Sequence, residues 1–138
     1  MKQIYFDHSA TTPISEDILE HMYQVLKNNF GNPSSIHQFG QSSRALIENA
    51  RRQIAITIGA SPKEIYFTGG GSESNNIVIK NILNPGDHLI TSSIEHPAIL
   101  KPAEELQKNG VDVSFVKPNS DGIIQTKDVI KSIKDNTK

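Results

Sequence analysis

The sequence predicts an α/β fold with a mostly parallel sheet and flanking helices, on three observations. Short runs of β-branched and aromatic residues at 64–68, 88–92 and 111–116 alternate with segments whose apolar residues recur at three- and four-residue steps. Glycine, proline and asparagine punctuate almost every junction. Strands separated by helices of this length imply right-handed crossovers within one sheet.

Along the chain, residues 3–6 form a short extended run closed by the polar, turn-like stretch 7–13. Ser15 can cap a helix carrying Ile18, Leu19, Met22, Val25 and Leu26, which stops before Gly31. Residues 31–40, rich in Gly, Pro, Ser and Asn, read as a loop. A second amphipathic helix turns Leu46, Ile47, Ala50, Ile54 and Ile58 inward, turns Arg44, Glu48, Arg51 and Arg52 outward, and ends at Gly59. Strand 64–68 then breaks at the glycines 69–71 before a helix over 72–83, which Asn84-Pro85-Gly86 closes. Strand 88–92 leads to a helix over 97–109 with Leu100, Ala103 and Leu106 on one face and Gly110 as its stop. Strand 111–116 follows, and Thr126 can cap a last helix through Val129, Ile130 and Ile133.

Composition excludes several classes. The 138 residues suit one domain with one core, and at 36% apolar residues with 9 glycines the chain is far from a disordered composition. A formal net charge of -1 gives no field for nucleic acid or an anionic membrane. No apolar run is long enough to span a bilayer, and the N-terminus meets a charge before a signal-peptide core could form, so the expectation is a soluble, cytoplasmic protein. Zero cysteines exclude disulfides, thiolate metal sites and a thiol nucleophile on this chain. His8, His21, His37 and His88 show no metal-ligand spacing, so no metal site is expected.

The sharpest chemical feature is Phe67-Thr68-Gly69-Gly70-Gly71-Ser72-Glu73-Ser74-Asn75-Asn76. A strand that turns through glycines into a helix aims unpaired N–H groups and the positive end of the helix dipole at whatever lies above it. A phosphate fits there, with the Ser72 hydroxyl as a further donor. A plain glycine turn capped by Ser72 explains the same letters, since the P-loop lysine and the GxGxxG spacing are both absent. His96, in Ser93-Ile94-Glu95-His96-Pro97, follows the next strand and so lies at the sheet edge where ligands of parallel sheets collect. Its ring could stack on a flat cofactor or move a proton, and equally it could be a helix cap. The segments Asp7-His8-Ser9-Ala10-Thr11-Thr12-Pro13 and Gly31-Asn32-Pro33-Ser34-Ser35-Ile36-His37 are polar loops whose composition names no function.

Together these four segments resemble the pyridoxal-phosphate-dependent cysteine desulfurases of the class V aminotransferase group. Tyr5 to Pro13 is similar to the family's opening motif, Gly31 to Ser35 with His37 to its second, Phe67 to Asn76 to its cofactor-phosphate turn, and Glu95-His96-Pro97 to the motif carrying its ring-stacking histidine. The resemblance runs from residue 3 to the end. It implies an incomplete fold type I large domain, with 1–14 belonging to the small domain and 15–138 to the cofactor-binding domain. It implies pyridoxal 5'-phosphate as cofactor, Gly71 and Ser72 on its phosphate, and His96 both stacked on the ring and assisting proton transfer. Gly69 and Gly71 stand where the family often has Ser and Ala, and Ser72 where it usually has Thr, so the turn is freer and more entropy is lost on ordering it.

The implied reaction takes L-cysteine to L-alanine and leaves sulfur as a persulfide on an enzyme thiolate, for transfer to an iron-sulfur scaffold or thiolation partner. A homodimer with its active site near the subunit interface is also implied. The family's cofactor-bearing lysine, the aspartate at the ring nitrogen, the substrate-carboxylate arginine and the sulfur-accepting cysteine have no counterpart here, and none of the eleven lysines has a Ser-x-His-Lys setting. The chain alone is therefore expected to be catalytically inert. It is also expected to self-associate through open sheet edges. The rival expectations are another class V enzyme, such as an aminotransferase or selenocysteine lyase, and a non-catalytic nucleotide-binding or assembly module.

Overall fold

The computed structural model describes residues 3–138. The chain forms two compact units, one ending at Tyr66 and one spanning Phe67–Lys138.

In the first unit, residues 3–15 contain no helix or strand, and α1 spans Glu16–Asn28. Ser15 sits at its N-cap without a side-chain capping bond. A hydrogen bond with Ser15 instead holds the exposed Asp17 carboxyl below the usual carboxylate range. The apolar stripe of α1 is real but uncovered: Ile18 is 49% and Leu26 74% exposed.

Helix α2, Gln38–Ile58, starts inside the segment expected to be loop. His37 caps it, its Nδ1 accepting from the Gly40 N–H at 3.4 Å. Gly40 is buried in the first turn, where a Cβ would meet the carbonyl oxygens of Ser35 and Asn32 at 2.4 and 2.5 Å. The loop thus packs backbone to backbone on the helix it precedes. At the other end, Gly59 takes φ 69°, and Ala60 N–H reaches the Ala55 carbonyl at 2.8 Å, the hydrogen-bonded stop that the sequence signals.

The inward face expected of α2 is not buried. Ala55 is, but Leu46, Ile47, Ile54 and Ile58 are 37–65% exposed. A helix stripe is buried only where another layer lies on it, and in this unit the element packed against α2 is the short turn of 3-10 helix at Pro62–Glu64. The Arg51 guanidinium ties the two, donating to the Ile65 carbonyl and pairing with Glu48 at 3.2 Å.

The second unit holds α3 (Gly71–Ile82), β1 (His88–Ser92), α4 (Pro97–Lys108), β2 (Asp112–Val116) and α5 (Thr126–Ser132). The strands pair in parallel, His88 opposite Asp112 through Ser92 opposite Val116, with α4 as the crossover. Leu83, Ala103, Val111 and Val113 form the core, with Ile79, Leu89, Leu106 and Phe115 against it. Gln125, not Thr126, is the N-cap of α5, and it makes no side-chain capping bond.

The expected strand at 64–68 does not form. Glu64 ends the 3-10 turn, Ile65 is extended at φ -97° and ψ 125°, and among the described residues no neighbour supplies a ladder. Extended backbone becomes sheet only with a partner. A second departure is His88, fully buried at 0% exposure. Its Nδ1 lies 2.7 Å from the Thr137 hydroxyl and its Nε2 2.8 Å from that of Ser114, while its N–H donates to Asn136 O and its carbonyl accepts from Lys138 N–H. No described helix is long and apolar enough to cross a membrane.

Candidate functional site

Gly70 is the N-cap of α3, at φ 156°, a conformation open to glycine and strained for other residues. The first helical bond runs from Ser74 N–H to Gly70 O at 3.1 Å. The N–H groups of Gly71, Ser72 and Glu73 therefore precede the ladder and point out of the helix start. A Cβ at Gly70 or Gly71 would meet nothing within 4 Å, so the space above these donors is open. The Ser72 hydroxyl makes no hydrogen bond among the described residues; only the Ser72 carbonyl does, accepting from Asn76 Nδ2 at 2.8 Å. Free amides, a free hydroxyl and open space match what a phosphate requires.

Thr68 and Glu73 shape the turn from its two sides. The Thr68 hydroxyl donates to Gly70 O at 3.2 Å and lies 2.8 Å from Ser74 Oγ. The Glu73 carboxylate accepts from Gly69 N–H at 2.5 Å.

His96 is the N-cap of α4, followed by Pro97 at the first helical position, where proline's missing N–H and fixed φ are harmless. Its Nδ1 accepts from Ala98 N–H at 3.0 Å. That bond reserves Nδ1 as an acceptor, so the neutral ring carries its proton on Nε2. Ser92, the last residue of β1, donates to Glu95 Oε1 at 2.9 Å and fixes the tight turn that presents the exposed His96.

The two helix starts share one rim of the second unit. Only residues 83–87 separate α3 from β1, and only 93–96 separate β1 from α4, so both helices run against the strand and parallel to each other. Lys80 and Glu105, joined at 2.7 Å, lie at matching depths, nine residues beyond Gly71 and His96 respectively, or about 13 Å down each helix. Helices that run in this sense both begin on the side of the C-terminal end of β1, where ligands of parallel sheets collect.

The two polar loops of the first unit bond chiefly to themselves. Tyr5 OH donates to the carbonyls of Asp7 and Thr11 at 3.0 and 3.2 Å, and its ring meets His8 edge-on at 4.9 Å. Asn32 Oδ1 accepts from Ser34 N–H at 2.9 Å. No group of three potential metal ligands occurs among the described residues. Glu73 and Glu95 were not singled out from the sequence, although a Glu three residues past an N-cap is a recognisable signal.

Known proteins are similar to this chain in sequence and in fold. The chain is 42% identical to cysteine desulfurase IscS of Dictyoglomus turgidum over 140 residues, covering 99% of this chain and 36% of that protein. It is 43% identical to cysteine desulfurase IscS of Enterobacter sp. (strain 638) over 141 residues, covering 97% and 35%. Among solved structures, a NifS-like protein superposes with a TM-score of 0.92 at 32% identity, covering 99% of this chain and 38% of that one. DndA from Streptomyces lividans superposes at 0.82 with 34% identity, covering 97% and 39%. The chain thus spans little more than a third of the length of the curated relatives it matches. Residues 4–138 match the family described as Aminotransferase class-V, and the chain belongs to that family.

Proposed function

We propose that this chain is the N-terminal part of a pyridoxal-phosphate-dependent cysteine desulfurase and that it supplies the cofactor's phosphate cradle and ring stack. The observation that carries this reading is the shared rim: free donors at Gly71 and Ser72 on one helix start, and an exposed imidazole with a defined tautomer on the next. The cofactor, when bound, supplies the electron sink for chemistry on an amino acid. Gly71 and Ser72 would hold its phosphate, and His96 would lie on its ring with Nε2 free to hold or pass a proton. The Ala98 N–H holds that ring through Nδ1, and the bond from Ser92 to Glu95 fixes the turn before it.

In this reading residues 1–14 belong to a small domain and 15–138 to the large cofactor-binding domain. The substrate is L-cysteine, the products are L-alanine and persulfide sulfur for an iron-sulfur scaffold or thiolation partner, and the enzyme is a cytoplasmic homodimer. The chain by itself is inert, because it offers neither a lysine in the family's setting nor a thiol.

The test uses 4-deoxypyridoxine 5'-phosphate, which lacks the aldehyde that reacts with surface lysines. Amide resonances of residues 70–73 should shift on its addition, Ser72→Ala should weaken binding about tenfold, and unphosphorylated pyridoxine should shift none of them. Equal responses to both compounds refute the assignment. Sulfide release from cysteine by this chain above that of free cofactor refutes the inertness.

A further inference from the structure

We propose that Glu73 is a positioning residue for the phosphate turn: its carboxylate tethers Gly69 so that the donors of Gly71 and Ser72 stay aimed at the anion. This rests on the phosphate reading above. Three successive glycines, 69–71, leave the turn with more freedom than any other tripeptide, and a cradle that is disordered before binding loses affinity on ordering.

Four bonds oppose that freedom: Gly70 O receives Thr68 Oγ1 and Ser74 N–H at 3.2 and 3.1 Å, and Ser74 Oγ donates to Thr68 Oγ1 at 2.8 Å. The fourth is Glu73 Oε2 on Gly69 N–H at 2.5 Å, and among the described residues it alone restrains the first glycine. The carboxylate lies so close that a Cβ on Gly69 would stand 3.1 Å from Oε2.

The position of this bond distinguishes a tether from a plug. Gly69 precedes the N-cap, so its N–H is not one of the helix-start donors, and the carboxylate leaves those of Gly71 and Ser72 free. In the first turn of α3 the carboxylate is also favoured by the helix dipole. Its charge, however, repels an arriving phosphate. An amide at this place keeps the acceptor oxygen and removes the repulsion, so the two contributions separate.

The experiment measures two things on the full chain. The first is hydrogen exchange of the Gly69 amide without ligand. Glu73→Ala should speed it about tenfold while Glu73→Gln leaves it within about threefold, with the Ala103 amide unchanged in both as the check on folding. The second is affinity for 4-deoxypyridoxine 5'-phosphate. Glu73→Ala should weaken it about fivefold to tenfold, and Glu73→Gln should match or exceed the native chain. Binding by Glu73→Ala as tight as the native chain's overturns the proposal, as does unchanged Gly69 exchange. A native chain that binds no phosphate compound overturns the phosphate reading and the purpose given to Glu73, whereas the Gly69 measurement, which needs no ligand, tests the tether by itself.

Discussion

Replacing Gly71 by alanine is expected to stabilise the Phe67–Lys138 unit, although it removes a glycine from the middle of the motif. Gly71 is the first residue of α3, its φ is not positive, and a Cβ there meets no atom within 4 Å. Nothing in the native state resists the methyl group, while the unfolded chain loses freedom. Such a replacement gains about 0.4–1 kcal/mol, and the low end applies at a helix start, so the gain should be about 0.5 kcal/mol. For a unit of this size that raises the melting temperature by about 2–4 °C. Gly70→Ala is the matched control. At φ 156° it forces a Cβ into strained backbone and should cost about 1–3 kcal/mol. Thermal melting followed by circular dichroism reads both variants. Gly71→Ala melting below the native chain, or Gly70→Ala melting with it, would refute the reasoning, because it rests on backbone conformation and local space alone.

His88→Phe should keep the volume but remove a hydrogen-bond partner from the hydroxyls of Ser114 and Thr137, the latter keeping the Lys134 N–H, at a cost of about 1–3 kcal/mol, with faster amide exchange at Lys138 as the local sign. Asp112 predicts an acid dependence. The hydrogen bond from Lys134, foremost, holds its carboxyl below the usual range, so the folded state binds this proton less readily than the unfolded one. The contribution is therefore complete above the ordinary carboxylate range and disappears as pH falls through the lowered value. Exchange at the 134–138 amides should rise with acid in the native chain, and in Asp112→Asn that part of the rise should already be present at neutral pH; an identical profile in both would count against the pair.

The site was legible because its parts are local. A passage through glycines into a helix, a serine after it, and a histidine before a helix-starting proline are read from neighbours in sequence, and His96, Pro97 and Gly59 cap, start and stop their helices as their chemistry dictates. The tether from Glu73 to Gly69 spans four residues and was within reach of the same reasoning. Gly40 reads as loop in the sequence because glycine usually breaks helices, yet it lies in the first turn of α2. Here it is needed inside one, so that two loop carbonyls can approach.

What the sequence determined by itself is what propensity, capping and period-two or period-3.6 patterning decide: an α/β chain, β1 and β2 with the helix between them, and two helix starts bearing the candidate donors. Tertiary structure alone decided which of those surfaces are covered. The extended residues beyond Glu64 form no ladder, the apolar faces of α1 and α2 remain exposed, and His88, a polar letter at a strand's first position, becomes the most deeply buried large side chain. The physical reason is that hydrogen-bond ladders and apolar burial require a second surface, and which surface arrives depends on contacts between residues far apart in the chain, as the bond between His88 and Thr137, 49 residues on, shows.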